Sequence, residues 1–374
     1  SGLQRSDIVI ATYDTLVNDR AIFQGVRWSW LICDEAQAIK NPDSNRRQSI
    51  GSIPRARTIP MTGTPVETSL LNLWSLTDLA IPGLLGTQAS FEESYPDCEE
   101  SARSLARLTD PVVLRRVVAD VAGDLPDRID IDVPLELDDQ LAERYREVRR
   151  ETLEKYPVAG ALVATGQLQI FCAHPWLQSL KDDPDDEFAE VNRNAERPLV
   201  TPKVERAISI VEEAFENHRK VLIFAIYNRC GELIKEACGY RVGAYWNAIN
   251  GSTPQSKRQQ IVDEFSAHDG PACLVLNPKA AGAGLNITAA TVVIHFTQAW
   301  NPALELQASA RAHRRGQTQP VTIYRLFYED TVERVMIDRA EWRKELGNEA
   351  VPVSTRDQAD LERALQIEPA SSHE

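Results

Sequence analysis

Short apolar runs, each closed by a polar turn and followed by a helical segment, recur in two separate stretches of the 374-residue chain, and this rhythm restricts the fold more than any other feature. In the first stretch the runs are Ile8–Ala11, Trp28–Cys33 and Thr58–Met61, with a helical segment at Leu70–Leu79. In the second they are Val221–Ala225, Cys273–Leu276, Val292–Phe296 and Val321–Phe327. Continuous apolar runs of this length predict strands buried on both faces. Thr201-Pro202 supplies an N-cap and a first-position proline, and Val204, Ile208 and Val211 then share one helical face. Thr253-Pro254 opens a second helix in the same way, running to about Phe265. Strands alternating with helices predict an α/β fold built on parallel, doubly wound sheets.

Residues 119–196 differ in character. Asp138–Lys155 is a highly charged helical stretch, Ala161–Cys172 a more apolar one, and the acidic run Asp182–Glu187 reads as a solvated linker. The expected division is therefore an α/β region over 1–118, a helical middle over 119–196, a second α/β region over 197–344, and a helix (355–366) with a polar tail over 345–374.

Charge bears on partners. The chain carries 41 basic and 55 acidic residues, a net −14 that taken alone argues against a polyanion. The distribution is uneven, with 21 basic against 33 acidic residues over 1–200 but 18 against 15 over 201–344. Affinity for phosphate backbones follows local basic surface, so nucleic-acid binding by the second region stays open. No run approaches the roughly 18 uncharged apolar residues of a membrane span, and the start has no secretory pattern. The six cysteines form no Cys-x-x-Cys pair of the kind zinc sites use, so reduced, buried thiols are expected. With 32 arginines and 9 lysines pointing to a GC-rich genome, the expectation is a soluble, cytoplasmic, nucleoid-associated bacterial protein.

Four segments carry chemistry. Asp34-Glu35-Ala36-Gln37 follows an apolar strand directly, at the end where open α/β sheets bind ligands. In nucleotide hydrolases one such acid holds magnesium and its neighbour activates water; a solvated turn is the plain alternative. Thr62-Gly63-Thr64-Pro65 also follows a strand and has the composition of a tight turn. Gly282-Ala283-Gly284-Leu285-Asn286-Ile287-Thr288, after Lys279, could bring backbone N–H groups close to phosphate, or serve only as a connection. Finally, Asn301 as N-cap, Pro302 and Gly316 bound an expected helix over 302–315. On it Gln307, Arg311 and Arg314 recur at i, i+4, i+7 and share one face. Rigidly placed guanidinium groups suit the dispersed charge of phosphoryl transfer.

In order, these segments resemble the Swi/Snf family of DNA-translocating ATPases in helicase superfamily two. Ile8–Asp14 is similar to the segment preceding the family's acidic box, and Asp34–Gln37 to that box, with Gln37 where relatives often have histidine. Leu114-Arg115-Arg116, Leu125-Pro126 and Cys172-Ala173-His174-Pro175 resemble middle segments. Gly251-Ser252-Thr253, Gly282–Thr288 and Gln307–Gln317 resemble motifs of the second lobe. The resemblance implies two RecA-like lobes with a helical insertion between them, and double-stranded DNA across both. It implies ATP and magnesium as cofactors: Asp34 on magnesium, Glu35 on the attacking water, Arg311 and Arg314 on the γ-phosphate. Gln37, Gly282, Gly284 and Gln307 would line the nucleotide. Lys279, Asn286, Thr288 and Trp300 would lie near the DNA, with a packing role for Trp300 equally open. The family's Gly-x-Gly-Lys-Thr phosphate loop is absent, since no glycine precedes any of the nine lysines. The expectation is thus that the first lobe lacks its N-terminal part and that the chain does not hydrolyse ATP alone, the missing half or another subunit being a partner. A catalytically silent DNA-binding scaffold, or an RNA helicase or restriction-type motor of the same superfamily, are the alternatives.

Overall fold

Strand β4 (Lys220–Phe224) shows how the second α/β region is built. Its Val221 and Ile223 enter one apolar cluster and its Leu222 and Phe224 another, on opposite faces of one sheet. Strands Ala272–Leu276 and Ala290–His295 divide their side chains between the same two clusters, so burial on both faces holds for the sheet interior.

The structure is a computed structural model; it describes residues 2–63, 69–114, 123, 125–156, 160–179, 200–239, 243–280, 284–345 and 357–369. Two compact units are present, residues 1–115 with 346–357, and residues 116–345 with 358–374. In the first lie α1 (Tyr13–Asn18), α2 (Arg20–Gln24), β1 (Trp28–Cys33), α3 (Asn45–Gly51), β2 (Arg55–Pro60), α4 (Leu70–Ala80), α5 (Gln88–Ser94) and α6 (Glu99–Thr109). The second contains β3 (Arg128–Leu135), α7 (Asp139–Lys155), α8 (Gly160–Ala173), α9 (Pro202–Glu216), β4, α10 (Cys230–Cys238), β5 (Tyr245–Ile249), α11 (Gln255–Ala267) and β6 (Ala272–Leu276). It continues with β7 (Ala290–His295), α12 (Pro302–Ser309), β8 (Val321–Tyr328), α13 (Val332–Glu345) and, from Gln358 on, α14 (Asp357–Gln366).

In the second unit the strands form one parallel sheet in the order β3-β8-β7-β4-β6-β5. Helices α9 and α10 supply Val204, Ile210, Val211, Leu233 and Ile234 to one face. Val262 and Phe265 of α11 and Ala308 of α12 cover the other. The caps follow the sequence: the Thr201 hydroxyl accepts the Val204 N–H, and Asp138 accepts that of Leu141 at the head of α7.

Two strands were not expected. β3 lies in the stretch assigned to the helical middle, where Arg-Ile-Asp-Ile-Asp-Val alternates charge with aliphatics. That is the pattern of an edge strand, and Pro134, which has no N–H to donate, is tolerated there. Its Asp132 stands opposite Arg325 of β8, with a paired contact of 2.5 and 2.7 Å. β5, the other edge, is short, and its Tyr245, Trp246 and Ile249 join the apolar clusters. The segment 128–173 thus belongs to the second unit, where α7 and α8 pack with α13 and Ala364 of α14 around Tyr145, Phe171 and Val335. The run Asp182–Glu187 lies outside the described residues.

The first unit departs further from expectation. Its described sheet is the parallel pair β1-β2, and only one face is covered, by Leu16, Ile39, Ile50 and Leu76. Trp30 (48% exposed) and Ile32 (60%) lie on the open face with Ile59, so burial on both faces fails here. Ile8–Ala11 forms no strand; Ile10 is 94% exposed, with no described strand to pair against. Among the described residues no helix is long and apolar enough to cross a membrane. All six cysteines are free thiols, and Cys33, Cys172, Cys230 and Cys273 are buried.

Candidate functional site

The first group of site residues is set by the end of β1. Beyond the strands the β1-β2 ladder continues: Met61 N–H donates to the Cys33 carbonyl (2.7 Å) and Ala36 N–H to that of Met61 (2.8 Å). The chain therefore turns sharply at Asp34-Glu35, and Glu35 takes up the left-handed conformation (φ 48°, ψ 49°), unusual for a residue with a side chain. Asp34 is exposed and its Oδ1 accepts the Glu35 N–H (3.0 Å). The ladder also brings Thr62 beside the turn. Its hydroxyl donates to Gln37 Oε1 (2.7 Å), and Gln37 Nε2 donates to Glu35 Oε2 (2.5 Å). An amide can accept and donate at once, so Gln37 relays Thr62 to Glu35 and orients the carboxylate. Asp34, Glu35, Gln37 and Thr62 are thus brought together; Thr64 and Pro65 lie outside the described residues.

Sequence reasoning missed one member of this group. The Tyr13 hydroxyl donates to the Asp34 carbonyl (2.7 Å) from the first turn of α1. Burial, followed by the nearby Cys33 and Asp34, raises its phenol above the ordinary value, so it stays a donor. Burial likewise pushes the Cys33 thiol up to about 11. The contact spans 21 residues and leaves no local pattern; only the place of Tyr13 in the Ile8–Asp14 segment hinted at it.

In the second unit Lys279 follows the C-terminal end of β6, the side of such sheets where ligands bind, whereas Asn286, Thr288 and the loop bearing Arg311 and Arg314 stand at the N-terminal ends of β7 and β8. Asn277, just past β6, donates to the Ile226 carbonyl (2.7 Å) and to Asn228 Oδ1 (2.9 Å), and accepts the Lys279 N–H (3.0 Å). Arg258 of α11 donates to the carbonyls of Thr253 (2.9 Å) and Ala280 (2.6 Å). These two residues, neither marked by spacing, tie the Gly251–Thr253 turn and the Lys279 loop to the sheet. Lys279 and Asn286 are exposed, Thr288 is half-buried, and Gly284 has φ 104°, which favours glycine. Gly282 lies outside the described residues. Trp300 is half-buried; it packs against the cluster of Tyr145, Tyr328 and Met336, with the Arg339 guanidinium 5.1 Å from its ring. Its position is that of a packing residue.

The expected helix over 302–315 is shorter. α12 begins as read, with Asn301 Oδ1 accepting the Ala303 N–H (3.1 Å), but it ends at Ser309. From Ala310 the backbone turns: the Arg311 carbonyl accepts the Ile287 N–H (3.0 Å), and Ala312 enters the core. Gln307, exposed on α12, therefore does not share a helical face with Arg311 and Arg314, which lie on a loop. Arg311 is half-buried and Arg314 exposed. His313 Nε2 lies 2.9 Å from the Pro126 carbonyl. Beneath α12, His295 Nε2 is 2.8 Å from Ser309 Oγ, and burial first, then Arg128 and Arg325, holds its pKa down at about 3, so the ring is neutral.

Comparison with known proteins places this arrangement. The family model described as SNF2-related domain matches residues 2–177, and that described as helicase conserved C-terminal domain matches residues 202–316. An uncharacterized ATP-dependent helicase of Mycoplasma pneumoniae is 31% identical over 330 residues, 88% of this chain and 31% of that protein. The SWI/SNF-related matrix-associated actin-dependent regulator of chromatin subfamily A member 1 of Mus musculus is 28% identical over 90% of this chain and 33% of its own. The chain thus spans about a third of the length of these relatives. The Sulfolobus solfataricus SWI2/SNF2 ATPase core in complex with dsDNA matches with a TM-score of 0.50 at 24% identity, covering 98% of this chain and 78% of that one. The fold is accordingly the α/β fold of two RecA-like lobes, and the chain belongs to the Swi/Snf, or SNF2-related, family of helicase superfamily two.

Proposed function

We propose that the chain is part of an ATP-driven motor acting on double-stranded DNA. One observation carries this reading: the chain has both an acidic turn held at a strand end and a loop, tied at the Arg311 carbonyl by the Ile287 N–H, that bears Arg311 and Arg314. A scaffold needs neither. Asp34, an exposed carboxylate, suits magnesium, which proteins hold through one or two carboxylates beside substrate phosphates and water. Magnesium there neutralises phosphate charge. Glu35, oriented by Gln37, takes the role of positioning and activating water, while Arg311 and Arg314 disperse charge on the γ-phosphate. Gln307, Gly282 and Gly284 serve nucleotide binding. Lys279, Asn286 and Thr288 face the DNA, as supported by the excess of basic over acidic residues across 201–344 and by the duplex bound to the Sulfolobus relative. No Gly-x-Gly-Lys-Thr loop occurs within these residues, so no hydrolysis is expected from the chain alone. A phosphate-gripping half or subunit completes the motor.

Two measurements test this. Duplex DNA affinity of the chain should fall linearly on a log–log salt plot, because bound phosphates release counterions. In the full-length gene product, duplex DNA should stimulate ATP hydrolysis, and Glu35→Gln should abolish it. Salt-independent binding, or a preference for single-stranded RNA, refutes the DNA assignment. DNA binding without hydrolysis in the full-length product makes the protein a scaffold.

A further inference from the structure

Gln317 has one of the most fully bonded side chains of the second unit, although nothing in the proposed chemistry calls on it. It is buried where the arginine loop returns to β8. Its amide nitrogen shares two hydrogens among the carbonyls of Thr288 (3.0 Å), Ala290 (3.1 Å) and Ala312 (3.2 Å). Its amide oxygen accepts the N–H groups of Thr318 (2.9 Å) and Gln319 (3.0 Å). One side chain therefore holds three backbone segments: the end of the Asn286–Thr288 stretch, the middle of the arginine loop, and the entry to β8. The Ile287 N–H donating to the Arg311 carbonyl adds a second tie, and Leu285, Ile287 and Ala312 share one apolar cluster. Next to Gln317, Gly316 turns with φ 98°, and a Cβ there would stand 4.0 Å from Thr288 Cγ2, so the two stretches run side by side.

We propose that Gln317 is a positioning residue that locks the loop bearing Arg311 and Arg314 to the Asn286–Thr288 segment, so that the two move as one body and DNA contact at Thr288 sets the placement of the arginines. This rests on the reading above, in which that segment meets DNA. Coupling of this kind needs a contiguous element that both sites bias, and the five bonds of one amide supply it.

The test needs no nucleotide. Amide hydrogen exchange of the full chain is followed with and without a saturating duplex oligonucleotide. In the unaltered chain, exchange should slow by about fivefold or more, the lower end of ordinary site-to-site coupling, both at 284–288 and at 311–317. In Gln317→Met, which matches the volume and removes all five bonds, slowing should persist at 284–288 and vanish at 311–317. Absence of slowing at 284–288 in the unaltered chain refutes the DNA reading and this inference with it. Slowing there but not at 311–317 refutes the coupling alone, and that comparison stands even where the variant does not fold. Equal slowing of both segments in a folded Gln317→Met chain also refutes it.

Discussion

Replacing Lys203 by methionine tests how the second unit is held together. Lys203, at the start of α9, is fully buried, and its ammonium lies 2.5 Å from both carboxylate oxygens of Glu333 on α13. The Tyr328 and Phe296 rings stand 4.7 and 5.8 Å from it, and Glu333 also accepts the Tyr328 N–H (2.9 Å). Methionine fills the space and strands the carboxylate in an apolar site. Removing one partner of a buried pair costs about 3–5 kcal/mol, whereas removing both can be close to neutral. Lys203→Met should therefore lower the melting temperature by roughly 6–20 °C, at about 2–4 °C per kcal/mol for a unit of this size. Lys203→Met/Glu333→Gln keeps an acceptor for Tyr328 and should recover most of the loss. Burial already raises the Glu333 carboxyl above its ordinary value, and without Lys203 it rises further. Protonation then relieves the single variant, so its deficit should be largest at pH 8 and shrink toward pH 5. The assay is urea unfolding at both pH values. A loss under about 1 kcal/mol in the single variant, or a double variant as unstable as the sum of its parts, refutes the account.

Glu305 gives a second pH test: burial raises its carboxyl to about 7 against the opposing Ala299 N–H (2.7 Å), so folded protein binds this proton more tightly than unfolded chain. Stability on this account is lost as pH rises from about 4.5 through about 7, and Glu305→Gln should match the parent at pH 4 and exceed it by up to about 3 kcal/mol at pH 8 in urea midpoints. An equal difference at both pH values would show that the charge is not the cause. Arg314→Ala in the full-length gene product should lower turnover far more than nucleotide affinity, by about a thousandfold if it stabilises the transition state, and near-normal hydrolysis would leave it a solvated loop residue. Tyr13→Phe should destabilise the first unit by about 0.5–1.5 kcal/mol through the lost bond to Asp34, read by thermal melting, and an unchanged melting curve would remove Tyr13 from the site.

How far the sequence speaks depends on how local the cause is. Strands β4, β6, β7 and β8 were legible because each fills both faces of a sheet, and α7 and α9 because Asp138 and Thr201 cap them with their own side chains. The end of α12 was not legible. Most residues of 310–315 are good helix formers, yet the chain leaves the helix at Ser309, and past it Ala312 turns into the core while the Arg311 carbonyl accepts from the distant Ile287. Burial of β1 was misread for a similar reason: Trp28–Cys33 is largely apolar on both sides, but among the described residues only one side packs into an apolar cluster. The acidic turn was legible as a motif, whereas its relay through Gln37 to Thr62 depends on the pairing of β1 with β2.

The left-handed backbone at Glu35 has a consequence for which replacements the turn tolerates. Conformations of that hand cost a residue with a Cβ about 1–2 kcal/mol, and glycine escapes the cost. Glycine at position 35 should therefore fold more stably than alanine, the reverse of their order in a helix, although both lack the carboxylate. Selection for stability alone would drift this position toward glycine. A glutamate at this position therefore carries a backbone cost that glycine would not, set against whatever its carboxylate does.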